Sequence, residues 1–154
     1  MTDYIETAKE EMKRADHLIF VSLKYTRTVD VIKHVIERLI NAIDNMFSVV
    51  LEKLKEDGRI DSIPVAPIPK AHLLKELFPD DELMQEFCTL FVRLRKIDQA
   101  KFERSTEFRR HVTMTAILAD DEMVNIDIDS ITDDFKKTKI FLEHVEKIIG
   151  VSEV

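Results

Sequence analysis

Apolar residues recur at helical spacing over most of the chain, and the breaks between the runs set out its elements. From Asp3 to Tyr25, Ile5, Ala8, Met12, Ala15 and Ile19, then Ser22, fall three or four residues apart, which lines them up on one helical face. Asp3 with Glu6 three residues on reads as a capping box with Asp in the Ser/Thr place. The strongest run, Thr28 to Glu56, carries the stripe Ile32, Ile36, Leu39, Ile43, Phe47, Val50 and Leu54. Val29, Val35, Ile40, Met46 and Leu51 widen it beyond a single face, so this helix, about 40 Å long at about 1.5 Å per residue, is expected to be the covered central rod of a bundle. Gly58 is placed to end it.

Pro64, Pro67 and Pro69 exclude helix from residues 59–69, a crossing loop that Ile60, Ile63, Val65 and Ile68 are expected to pin to the bundle. A PxxP recognition motif at Pro64–Pro67 is the sharper alternative. A short helix follows from Lys70 to Phe78, and Asp80 or Asp81 caps a third major helix bearing Phe87, Leu90, Phe91, Leu94 and Ile97. Its period continues through Phe102, Phe108 and Val112 without glycine or proline. That predicts either one helix of more than thirty residues or two broken near Ser105–Thr106. Met123 to Ile128 alternates at period two and reads as extended, with Ile60–Val65 as a conceivable partner. Ser130, with Asp133 three on, is expected to start a last helix that runs to Ile149 and is closed by Gly150. The expected fold is one all-α domain over residues 1–154, an up-and-down bundle of about four to five helices with a proline-containing crossing loop.

Composition narrows this picture. Two glycines, and four prolines confined to 64–79, leave too few turn residues for an all-β domain. Charged residues make up 34% of the chain, too many for a membrane protein, and no uncharged stretch approaches a bilayer span. The N-terminus lacks the pattern of a secretion signal and Cys88 is the sole cysteine, so a reducing, cytoplasmic location and a buried, inert thiol are expected. The net charge of −7 disfavours a general polyanion binder. Its distribution is uneven. Between Arg93 and His111, seven basic residues face three acids, whereas Leu118–Asp134 holds seven acids and no base.

Candidate chemistry is correspondingly sparse. The five histidines, at 17, 34, 72, 111 and 144, are scattered, and no Glu-x-x-His pair is present. Asp30, His34 and Glu37 share a helical face and could hold a divalent ion, but Lys33 and Arg38 beside them favour a solvated surface with local ion pairs. No metal and no cofactor are expected. Cys88 lacks an adjacent base and no serine has an activating context, while two isolated glycines cannot build a phosphate loop. The basic stretch remains. In a continuous helix, Arg93, Lys96, Ala100, Arg104, Glu107 and His111 line one face, with Arg104 and His111 two turns apart. Arg104 could contact phosphate and His111 transfer protons in metal-independent RNA cleavage. A structural salt-bridge ladder through Glu107 is the plainer alternative.

The succession YIETAKEEMKRADHLI, KYTRTVDVIKHVIERLINAI, PKAHLLKEL, LRKIDQAKFER and FKKTKIFLEHVEKIIG resembles, in order and spacing, the HEPN superfamily over most of residues 4–149. The resemblance implies an all-α bundle, a homodimer and, in many members, a metal-independent ribonuclease whose Arg and His, four to six residues apart, face a symmetry mate across an RNA-binding cleft. Arg104 and His111 fit that spacing, but Thr113 stands where the toxin members carry tyrosine. The expectation is therefore a cytoplasmic homodimer that binds RNA or nucleotide phosphates through Arg93, Arg95, Lys96, Lys101, Arg109 and Arg110, with Arg104 and His111 as the candidate catalytic pair. The alternative is a non-catalytic protein-interaction module in which the basic and acidic stretches pair internally.

Overall fold

The computed structural model describes residues 2–150. Helix α1 (Thr2–His17) runs into a π-helical segment (Leu18–Ser22) and a short turn, α2 (Leu23–Tyr25). Then come α3 (Val29–Glu56), α4 (Pro67–Leu77), α5 (Glu82–Gln99), strands β1 (Lys101–Ser105), β2 (Thr113–Ile117) and β3 (Met123–Asp127), and α6 (Ile128–Ile148). The protein is mostly helical, but it is not all-α: the strands form an antiparallel meander in the order β1-β2-β3.

Helix α3 is the central rod. Fifteen of its 28 residues are buried, so it must be covered on several sides. α1, α4, α5 and α6 all pack on it. Thr28 caps its start, accepting from the Val31 amide at 3.4 Å, and Gly58 ends it at φ +76°. There the Arg59 amide reaches the Leu54 carbonyl and the Gly58 amide the Lys55 carbonyl, which satisfies the last turn in a Schellman arrangement. Phe47 of α3 meets Phe91 of α5 and Phe141 of α6 edge-on, and Phe141 stacks on Phe87 with 4.3 Å between ring centroids. This aromatic cluster joins three helices in one core.

Several boundaries differ from the sequence reading for identifiable reasons. Asp3 lies inside α1 and not at its cap. The first stripe ends on buried Leu23, with Ser22 only half-buried: across the wider π turn, a step of four from Ile19 keeps to the core side. α4 begins at Pro67, so Pro67 and Pro69 sit inside the helix; its first-turn amides need no intrahelical partner, which makes proline tolerable there. That places half of the PxxP segment in a helix. In the preceding loop Ile60 and Ile63 pack against the core, whereas Val65 is 93% exposed and pins nothing. Asp81 does cap α5, accepting from the Met84 amide at 3.0 Å. α6 starts earlier than Ser130: Asp127 accepts from the Ser130 amide at 2.8 Å while its own amide donates to Ser130 Oγ, a reciprocal capping box.

The largest correction concerns residues 100–127. α5 stops at Gln99, so neither one long helix nor a pair broken at Ser105 exists, and Met123–Asp127 pairs with β2 instead of Ile60–Val65. Within the sheet, Phe102 and Arg104 share a face with Met114, Ala116, Val124 and Ile126, and this face turns towards the helices. Three non-glycine residues make the turns: Thr106 (φ +56°), Phe108 (φ +68°) and Asp121 (φ +63°). Left-handed backbone usually signals itself as glycine; here it does not. Among the described residues, no helix is long and apolar enough to cross a membrane.

Candidate functional site

Replacing the expected helix by a meander disperses the basic stretch. Only Arg93, Arg95 and Lys96 remain helical, at the end of α5. Arg93 donates to Glu122 in the β2–β3 turn at 2.9 Å. Arg95 points the other way, into a shallow hollow with Glu37, Arg38 and Asp98. Lys101 and Arg104 stand on β1, and Arg109, Arg110 and His111 in the β1–β2 loop. The face that was to carry Arg93, Lys96, Ala100, Arg104, Glu107 and His111 together does not exist.

Arg104 and His111 attach to different helix starts. Arg104 pairs with Asp30 in the first turn of α3 at 2.9 Å, approaches Glu107 at 3.6 Å and lies over the Phe102 ring. The Asp30 hydrogen bond pushes its pKa above even the usual arginine value. His111 is exposed near the first turn of α6. There Arg110 donates to Asp129 at 2.7 Å and holds that carboxyl below its ordinary range, with a smaller contribution from the His111 charge. No contact among the described residues joins Arg104 to His111. Glu107 also has a different task from the expected ladder: its Oε2 accepts from the Val29 amide at 3.0 Å, satisfying an N-terminal donor of α3.

The remaining candidates resolve similarly. Asp30 is taken by Arg104 and so parts from His34 and Glu37; among the described residues no group of three or more His, Cys, Asp or Glu side chains is placed to hold a metal ion. Cys88 is 1% exposed, and burial pushes its thiol up to about 12, so it stays protonated and inert near neutrality, as expected for a core cysteine.

What the structure does assemble is a groove of about 810 Å³ between α4, α5 and the β2–β3 turn. Val92, Ala100, Ile117 and Leu118 supply an apolar lining, and His72, Lys75, Arg93 and Lys96 supply cationic or protonatable groups around it, with Asp120 and Glu122 as the acids. Lys75 Nζ donates to Thr89 Oγ1 at 2.9 Å, while Lys96 is exposed and forms no ion pair among the described residues. Such a groove can receive a ligand with one flat or apolar part and one anionic part. Arg93 and Lys96 belong to the basic stretch singled out in the sequence. His72 and Lys75 lie some twenty residues upstream on α4, and only the packing of α4 on α5 brings them in. No protein-family model matches the chain, and no significant match is found among curated proteins or solved structures.

Proposed function

We propose that the protein is a helical binding module that takes the phosphates of a nucleotide or short RNA in the groove between α4, α5 and the β2–β3 turn. One observation carries this reading: Lys75, Arg93 and Lys96, from two helices, gather around an apolar lining on a chain with a net charge of −7. A local positive field of this kind attracts phosphate even when the distant field repels it. The reading assigns binding without cleavage by Arg104 and His111, since those two side chains serve separate helix starts. HEPN-like assembly as a homodimer belongs to the proposal; exposed Phe20, Val21 and Tyr25 supply apolar surface for it.

The interaction-module reading has an observation of its own. Arg93–Glu122 and Arg110–Asp129 join the basic stretch to the acidic one within the chain. Both pairs are solvent-exposed, so each is worth little and can yield to a phosphate. Fluorescence anisotropy with a labelled short RNA and a labelled nucleotide, followed against salt, separates the readings. Steep loss of binding with salt, and roughly tenfold weaker binding in Lys75→Glu and Lys96→Glu, is expected for phosphate contacts. No binding at low salt leaves the interaction module.

A further inference from the structure

We infer that a second groove, between α1 and α3, is a binding site for a phosphate dianion, free or carried as a small monoester. It encloses about 470 Å³ and is lined by Lys13, Arg14, His17 and Leu18 from α1 and its π-helical extension, and by His34, Glu37 and Arg38 from α3. It shares no lining residue with the α4–α5 groove, so its occupancy is independent of the function proposed above.

The organising group is Glu11. Its side chain is only 8% exposed, and it accepts from Arg14 Nη1 at 3.2 Å, from Arg38 Nη1 at 3.2 Å and from Asn41 Nδ2 at 3.5 Å. One buried carboxylate thus fixes two guanidiniums from facing helices side by side. Only Nη1 of each is engaged in these contacts, and a guanidinium carries five N–H donors. Arg14 and Arg38 remain 59% and 36% exposed, so the spare donors are within reach of a ligand. Lys13, Arg14 and Arg38 against Glu11 and Glu37 leave the groove one positive charge with neutral imidazoles; protonating His17 and His34 would add two more. Two arginines fixed together suit the oxygens of one phosphate, which takes charge-assisted, fork-shaped hydrogen bonds. The groove also ends where α1 widens into the π turn, a local departure that recurs at ligand sites.

The test titrates inorganic phosphate, and separately glycerol phosphate, into the full chain in a non-phosphate buffer while the imidazole resonances of His17 and His34 are followed by NMR. Both should move and saturate together, and the stronger of the two ligands identifies a free or an esterified phosphate. Arg14→Gln with Arg38→Gln should weaken binding by roughly tenfold or more. The exposed Lys13→Gln and His17→Gln guard against misfolding of that double variant and should each weaken it severalfold. Lys96→Glu, in the other groove, should leave it unchanged. Sulfate, which keeps its charge across the range, should bind more tightly at about pH 6 than at about pH 8, because imidazoles gain charge in that interval. Imidazole resonances that do not move with millimolar phosphate, or binding that survives all four substitutions, overturns the inference.

Discussion

Helix α3 and the strand segment 101–127 are held by different forces. α3 is fixed by apolar contact along its whole length, from Val29 to Leu54, with its polar side chains at the margins. The sheet has one buried face of modest area, centred on Met114, Ala116 and Ile126. Its position is completed by ion pairs, Arg104 to Asp30 and Arg93 to Glu122, and by turns in left-handed backbone. Apolar burial depends on area and resists local change, whereas exposed ion pairs orient an element and add little free energy. The cationic groups that make this surface interesting therefore sit on the more weakly held part.

Three substitutions bear on that contrast. Phe47→Ala empties the point where α3, α5 and α6 meet and should cost about 3–5 kcal/mol, read as a lower urea midpoint with little change of slope. A loss below about 1 kcal/mol would remove α3 from the centre of the argument. Asp134 on α6 comes next. Burial pushes its carboxyl up to about 6 from an ordinary 3.8, with Asp133 adding and Lys137 opposing. The folded state thus holds the proton more tightly than the unfolded chain, so stability falls as pH rises from about 4 to about 6 and the penalty is complete above that. Asp134→Asn should stabilise the protein by about 1–2 kcal/mol at about pH 7, after allowance for partial solvent screening, and by nothing below about pH 4. A gain that persists at low pH would point to packing and not to charge. The smallest effect belongs to Arg93→Gln, which should change stability by less than about 0.5 kcal/mol. A loss above about 1 kcal/mol would mean that the ion pairs hold the sheet and the contrast fails.

The same contrast explains what could be read from the sequence. α3, its end at Gly58 and the cap at Asp81 were legible, because a broad stripe at period 3.6 and glycine or aspartate at the boundary have few alternatives. The sheet was not. Its strands have five residues each, too few for alternation to stand out, and Phe102, Phe108 and Val112 happen to continue the helical period of α5. Thr106, Phe108 and Asp121 turn the chain without glycine, so the signal that breaks a helical reading was missing. The site followed the fold. Arg93 and Lys96 were legible as cations, but their neighbours depend on α4 packing, and the Arg104–His111 pair rested on a helix that ends at Gln99. Glu11 was the least legible group, an ordinary glutamate on an amphipathic helix until Arg38 and Asn41 are seen facing it.

The hydrogen bond from the Val29 amide to Glu107 spans 78 positions of chain. The opening turn of the central rod is therefore completed by a loop made much later in synthesis. A nascent chain released before residue 107 would leave that amide to water, and deuterium uptake at Val29 in the finished protein reports on the integrity of a distant loop as much as on its own helix.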